Sequence, residues 1–229
     1  MCRGPHRKVS TVLRMNLPRG SEDAPGVAEV HALLIDMDGT LVDSDAVVER
    51  SWSRWAEANG IDPQAVIAVC HGATADATIT RFRPDLSEAE VAATAQEHME
   101  IETNDVEGVV PKPGALDLVA WLDSQAVPWA VVTNASRPLA QARLGAAGIS
   151  APALVTVEEV PVGKPDPALY LLGAERLGVA VEHCLVVEDS GAGVAAGLAA
   201  GATVTALRRD DADVRIERLD DLLSLLSPA

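Results

Sequence analysis

Three runs of four apolar residues, rich in β-branched types, each stop abruptly at a polar residue. Ala32-Leu33-Leu34-Ile35 stops at Asp36, Trp129-Ala130-Val131-Val132 at Thr133, and Cys184-Leu185-Val186-Val187 at Glu188-Asp189. A run with no polar side to turn toward water reads as a strand covered on both faces. Residues 203–206 are a fourth run of this kind. Helical patterns lie between them, over 115–122 and over 138–147, the second followed by Gly148 as a stop. Strands alternating with helices predict an α/β fold with a Rossmann-like parallel sheet. Ligands of such sheets sit beyond the carboxyl ends of the strands. The polar residues that end the runs therefore converge on one crevice, although they are far apart in the chain.

The alternation breaks over residues 44–112, where the pattern is helical. Residues 47–59 carry Trp52 and Trp55, and Ser87 with Glu90 has capping-box spacing ahead of an acidic helix. This stretch holds 13 acids against 5 Lys/Arg, half of the chain's net charge of -16. It reads as a helical cap domain inserted after the first strand, with Pro111 and Pro113-Gly114 as its return hinge. The division expected is 1–27 as a disordered tail, 28–43 and 113–229 as the catalytic core, and 44–112 as the cap. The tail carries five basic residues and no acid before Glu22, is broken by prolines, and lacks the apolar stretch of a signal peptide. Met15 is a candidate alternative start. So acidic a chain repels nucleic acid and anionic membranes, so neither is an expected partner. No apolar run approaches the ~20 residues of a membrane helix. Cys2, Cys70 and Cys184 have neither disulfide-framework nor zinc-site spacing, which favours a reducing, cytoplasmic setting. A monomer or weak dimer is expected.

Asp36-Met37-Asp38-Gly39-Thr40 places two carboxylates one residue apart at a strand end, followed by a glycine that permits a sharp turn. Such charge is costly unless a cation sits there. A calcium loop also begins Asp-x-Asp but needs glycine where Leu41 stands. Glu188-Asp189 is a second acidic strand end; it reads either as a metal site shared with Asp36 and Asp38 or as a helix start with favourable acids. Gly191, Gly193 and Gly197 miss the spacing of a dinucleotide loop. An all-oxygen set of Asp36, Asp38, Glu188 and Asp189 with no His or Cys favours Mg²⁺. Thr133 and Asn134 offer a hydroxyl and backbone N–H groups to a phosphate oxygen, or simply cap a helix. Lys164, one of three lysines, lies in Gly163-Lys164-Pro165-Asp166-Pro167 and is either the cation such a site needs or an exposed side chain.

These motifs, in this order, resemble the haloacid dehalogenase superfamily over about residues 30 to 210, and the insert position resembles the subclass I cap. The nearest resemblance is to sugar and polyol phosphatases of the hexitol, deoxyglucose-phosphate and glycerol-phosphate type. His71-Gly72, Pro113-Gly114-Ala115 and Tyr170-Leu171-Leu172-Gly173 strengthen it, whereas Ala73-Thr74-Ala75 departs from relatives that are basic after the His-Gly pair. The resemblance implies a Mg²⁺-dependent phosphoric monoester hydrolase acting on a small sugar or polyol phosphate. Asp36 would be the nucleophile, Asp38 the general acid and base, and Thr133 and Lys164 would bind the phosphoryl group. His71 and Gly72 would contact the substrate. A phosphomutase of the β-phosphoglucomutase type would share all the core residues. A non-enzymatic phosphate sensor would be shorter and have no use for Asp38.

Overall fold

The computed structural model describes residues 11–16, 27–71 and 73–228. The chain enters through β1 (Leu13–Asn16) and β2 (Val27–Val30), then β3 (Ala32–Ile35) and the short β4 (Val42–Asp43). Four helices follow: α1 (Asp45–Ala58), α2 (Pro63–Cys70), α3 (Ala75–Phe82) and α4 (Glu88–Asn104). Next come β5 (Val110–Pro111), α5 (Ala115–Ser124), β6 (Trp129–Val132), α6 (Arg137–Ala146) and β7 (Leu154–Val155). The chain continues through α7 (Ala168–Leu177), β8 (Cys184–Glu188), α8 (Gly191–Ala200) and β9 (Thr203–Leu207). It closes with β10 (Val214–Ile216), α9 (Leu219–Leu225) and β11 (Leu226–Pro228).

Six strands form one parallel sheet in the order β10-β9-β8-β3-β6-β7. The apolar runs are its central strands, and their side chains alternate between two cores. Leu33, Ile35, Val131, Leu185 and Val187 pack on one face with Leu118, Leu122, Leu144 and Leu222 of the helices. Leu34, Ala130, Val132, Val186 and Val204 pack on the other with Leu169, Tyr170 and Val194. Ile35 is level with Val131 of β6 and with Val187 of β8. That register brings Asp36, Thr133 and Glu188 to one height where the chain crosses from one side of β3 to the other, the ligand position for an open α/β sheet.

The four helices leave and re-enter the core through β4 and β5, which pair antiparallel with Val42 opposite Pro111 and Asp43 opposite Val110. Ser87 and Glu90 form the expected capping box at the start of α4. The apolar stripe of the insert, with Trp52, Val66, Ile79 and Val91, continues the core of the first face.

The expected tail is corrected in one part. Leu13–Asn16 is the middle strand of a three-stranded antiparallel sheet, β11-β1-β2. Leu13 and Met15 are fully buried while Arg14 and Asn16 are exposed, an alternation with the period of a half-buried strand. Val30 and Leu226, opposite Leu13 and Met15, give those side chains an apolar partner. The strand begins ahead of Met15, and β2 already starts at Val27. Residues 1–10 and 17–26 of the expected tail lie outside the described residues.

Candidate active site

Asp36 emerges from β3 into a cleft of about 340 Å³ between the sheet and the helical insert. One of its oxygens, Oδ1, accepts a 2.6 Å hydrogen bond from the Nζ of Lys164. The same ammonium donates to Glu188 Oε1 at 2.6 Å and to the Val132 carbonyl at 2.9 Å. Lys164 is only 7% exposed, so the exposed-lysine alternative is excluded. Its loop is clamped by Asn134, whose Oδ1 accepts from the Lys164 N–H at 2.8 Å and whose Nδ2 donates to the Lys164 carbonyl at 3.2 Å. The side-chain amide of Asn134 thus holds the lysine loop, whereas the phosphate contact expected of Asn134 rests on its backbone N–H.

Glu188 is fully buried and saturated. Its Oε1 accepts from Lys164 and, at 2.7 Å, from the Tyr170 hydroxyl; its Oε2 accepts from the Asp189 and Ser190 N–H groups and the Ser190 hydroxyl, each at 3.0 Å. Gly193 lies so close that a Cβ there would collide with this carboxylate. Asp189 accepts from Thr40 Oγ1 at 3.2 Å. Gly39 has φ +86°, and a Cβ on it would overlap the Asp189 carboxylate. The glycine after Asp38 therefore serves both the turn and the close approach of β3 and β8 loops.

Carboxylate oxygens of Asp36, Glu188 and Asp189 lie within 4.8 Å of one another. Three acids thus share one lysine. Burial, followed by the charge of Glu188, holds Asp36 well above the ordinary carboxylate range and pushes Asp189 up to about 7. Burial works against ionisation of Glu188 too, but the charge of Lys164 and hydrogen bonds from Lys164, Tyr170 and Ser190 outweigh it and keep Glu188 below its usual range. The site is short of positive charge by an amount a divalent cation would supply, and its donors are all oxygen. Asp38 is not one of these three carboxylates: its Oδ1 accepts from Ser44 Oγ at 2.6 Å and pairs with Arg143 Nη1 at 2.9 Å.

Thr133 is 2% exposed, and its Oγ1 accepts the Ala135 N–H at 3.0 Å. Among the described residues its hydroxyl hydrogen goes to no acceptor, so it is available to the cleft. His71 lines the cleft between α2 and α3 but is 42% exposed, with Asp45 at 3.7 Å and Glu49 at 3.8 Å as its nearest charged neighbours. Gly72 lies outside the described residues.

Sequence reasoning missed Arg143, Ser44 and Arg209, all of which line the cleft. Arg209 follows the end of β9, and the strand-end rule that singled out Asp36 and Glu188 points to it as well. Arg143 occupies the buried stripe of α6 with Leu139, Ala140 and Leu144. A guanidinium on an apolar stripe requires a buried partner, and that signal was present in the sequence.

Residues 30–201 match the model of a family described as haloacid dehalogenase-like hydrolase. The chain is 45% identical over 194 residues to hexitol phosphatase A of Escherichia coli, covering 84% of this chain and 90% of that protein. It is 32% identical to glycerol-1-phosphate phosphohydrolase 2 of Saccharomyces cerevisiae, covering 81% and 77% respectively. A hydrolase from Pseudomonas syringae superposes with a TM-score of 0.75 at 24% identity, covering 85% of this chain and 96% of that one.

Proposed function

Because the chain belongs to the haloacid dehalogenase-like hydrolases, we propose that it is a Mg²⁺-dependent phosphatase that hydrolyses a small sugar or sugar-alcohol phosphate through a phospho-aspartate on Asp36. The carrying observation is the asymmetry of Asp36. Lys164 fixes one oxygen, among the described residues the other has no partner, and Asp36 lines the cleft. A carboxylate held in this way is oriented for attack and is not consumed by a salt bridge. The names of the relatives, a hexitol phosphatase and a glycerol-phosphate phosphohydrolase, support the polyol substrate.

In the first half-reaction the free oxygen of Asp36 bonds to phosphorus, the bond from phosphorus to the alcohol oxygen breaks, and Asp38 gives that oxygen its proton. In the second, Asp38 takes a proton from water as the water oxygen bonds to phosphorus. The acyl phosphate bond breaks, and Asp36 is restored as inorganic phosphate leaves. The Thr133 hydroxyl donates to a peripheral phosphate oxygen. Lys164 and Glu188 hold Asp36 in place, and Asn134 holds Lys164. A Mg²⁺ ion would be held by the carboxylates of Asp36 and Asp189, with saturated Glu188 behind them. The chemistry it supplies when bound is the neutralisation that lets a phosphate dianion approach this acidic site. The helical insert acts as a cap that excludes water from the cleft and carries the substrate contacts. His71 is one candidate contact.

Among the described residues no helix is long and apolar enough to cross a membrane. The unpaired, buried thiols of Cys70 and Cys184 support a cytoplasmic location. The direct test is phosphate release from hexitol, glycerol, aldose and nucleotide phosphates, with Mg²⁺ and with EDTA. Fastest release from small polyol or sugar phosphates, abolished by EDTA, is expected. No release from any monoester, or release indifferent to EDTA, would overturn the reading. Isomerised sugar phosphate without released phosphate would make the protein a mutase.

A further inference from the structure

Asp38 is connected to the helical insert by a buried chain of charges. Arg143, on core helix α6, is 3% exposed and spans two carboxylates. Its Nη1 lies 2.9 Å from Asp38 Oδ1, and its Nη2 donates at 2.8 Å to Oε2 of Glu102 near the end of α4. Glu102 is itself locked from within the insert. Its Oε1 accepts from Ser51 Oγ at 2.6 Å and contacts His98 Nε2 at 3.1 Å. The His98 ring in turn lies on Trp52 with centroids 3.8 Å apart. On the other side, the Ser44 hydroxyl that donates to Asp38 Oδ1 belongs to the residue joining β4 to α1. Both groups that hold Asp38 therefore depend on where the insert sits.

We propose that Arg143 is the positioning residue of Asp38, and that Glu102 makes this positioning conditional on the insert being seated over the core. This deepens the phosphatase reading and rests on it. A guanidinium is a rigid planar fork, so fixing one Nη on Glu102 fixes the direction from which the other reaches Asp38. The pair leaves Asp38 Oδ2 without a partner among the described residues, as a proton-transfer atom requires. The Nε of Arg143 is buried and unpartnered. When Glu102 is lost, Arg143 therefore keeps no second anchor, and the aim of Asp38 is lost with it.

The test compares kcat/KM for glycerol phosphate, whose alkoxide must be protonated to leave, with kcat/KM for 4-nitrophenyl phosphate, whose phenolate leaves unaided. Because kcat/KM reports only the steps up to alcohol release, the ratio of the two isolates proton donation. The ratio should fall about tenfold or more in Arg143→Met and about threefold or more in the isosteric Glu102→Gln. Arg143→Lys should be intermediate, since one ammonium keeps the charge but cannot form the fork. The double variant should lie no lower than Arg143→Met, because Glu102 acts through Arg143. Equal losses on both substrates in Glu102→Gln and Arg143→Lys would make the pair merely structural and overturn the inference. An additive double variant would overturn the dependence on Glu102. Absence of phosphate release from either substrate by the unaltered protein would instead refute the phosphatase reading.

Discussion

Replacing Lys164 with methionine preserves the length of the side chain and removes the only cation among the described residues in hydrogen-bond contact with Asp36 and Glu188. The ammonium is buried and makes three bonds, at 2.6, 2.6 and 2.9 Å. Removing one partner of a buried ion pair costs about 3–5 kcal/mol, because the other partner stays buried and unpaired. For a chain of this size that is a fall of roughly 6–20 °C in Tm. The pH dependence follows from the acids. Asp36 and Asp189 have folded pKa values raised above their ordinary values, Asp189 to about 7, so they oppose folding increasingly as pH rises from the ordinary carboxylate range through those values. Glu188 is lowered by Lys164, so it contributes stability above its ordinary range, and the variant loses that contribution. Lys164 itself is raised by Asp36 and Glu188 against the opposing effect of burial, so its contribution is complete throughout the neutral range. Near pH 5 the variant can relieve its site by keeping protons on the acids at little cost; near pH 8 holding those protons costs more. Urea unfolding in metal-free buffer should show the gap between the unaltered protein and Lys164→Met widening from pH 5 to pH 8, with turnover abolished. A gap under about 1 kcal/mol at pH 8, or one that narrows as pH rises, would refute this electrostatic account.

Three further outcomes follow from the same contacts. Gly39→Ala should destabilise by roughly 1–3 kcal/mol and abolish turnover, because it forces a Cβ into both a left-handed backbone and the Asp189 carboxylate; thermal melting and phosphate release check this. Since Asp36 and Asp189 must both give up protons to bind an ion, and both are held above the ordinary carboxylate range, Mg²⁺ affinity should rise steadily from about pH 5 to about pH 7, as read by calorimetry, and an affinity independent of pH there would contradict it. His71→Ala should reduce kcat/KM for the best sugar phosphate about tenfold while leaving 4-nitrophenyl phosphate little changed, because the ring lines the cleft as a candidate contact; no selective loss would remove His71 from substrate recognition.

The parallel sheet and the convergence of Asp36, Thr133 and Glu188 were legible because burial on both faces leaves uniformly apolar runs that end where the crevice begins; Lys164 ends no such run, and its flanking residues alone left it open between site cation and exposed side chain. The strand β1 was not legible. Its alternation lasts only four residues, and its partner β11 lies at the other end of the chain. The side-chain direction of Asp38 was not legible either, because it is decided by Arg143 and Ser44, and neither belongs to a strand-end motif. The stripe of α4 did carry a signal. Val91 and Ala95 are followed on the same buried face by His98 and Glu102. Two polar residues ending an apolar stripe imply a buried polar partner, and the stripe of α6 supplies it at Arg143. Reading the two stripes against each other would have predicted the contact, whereas reading each helix alone does not.

The most direct test of the central claim is mass spectrometry of protein quenched in acid during turnover of glycerol phosphate with Mg²⁺. The account predicts one added phosphoryl group, mapped to the peptide that contains Asp36 and absent from Asp36→Asn, which should release no phosphate. Undiminished phosphate release by Asp36→Asn, or a phosphoryl group carried on another residue, would contradict it.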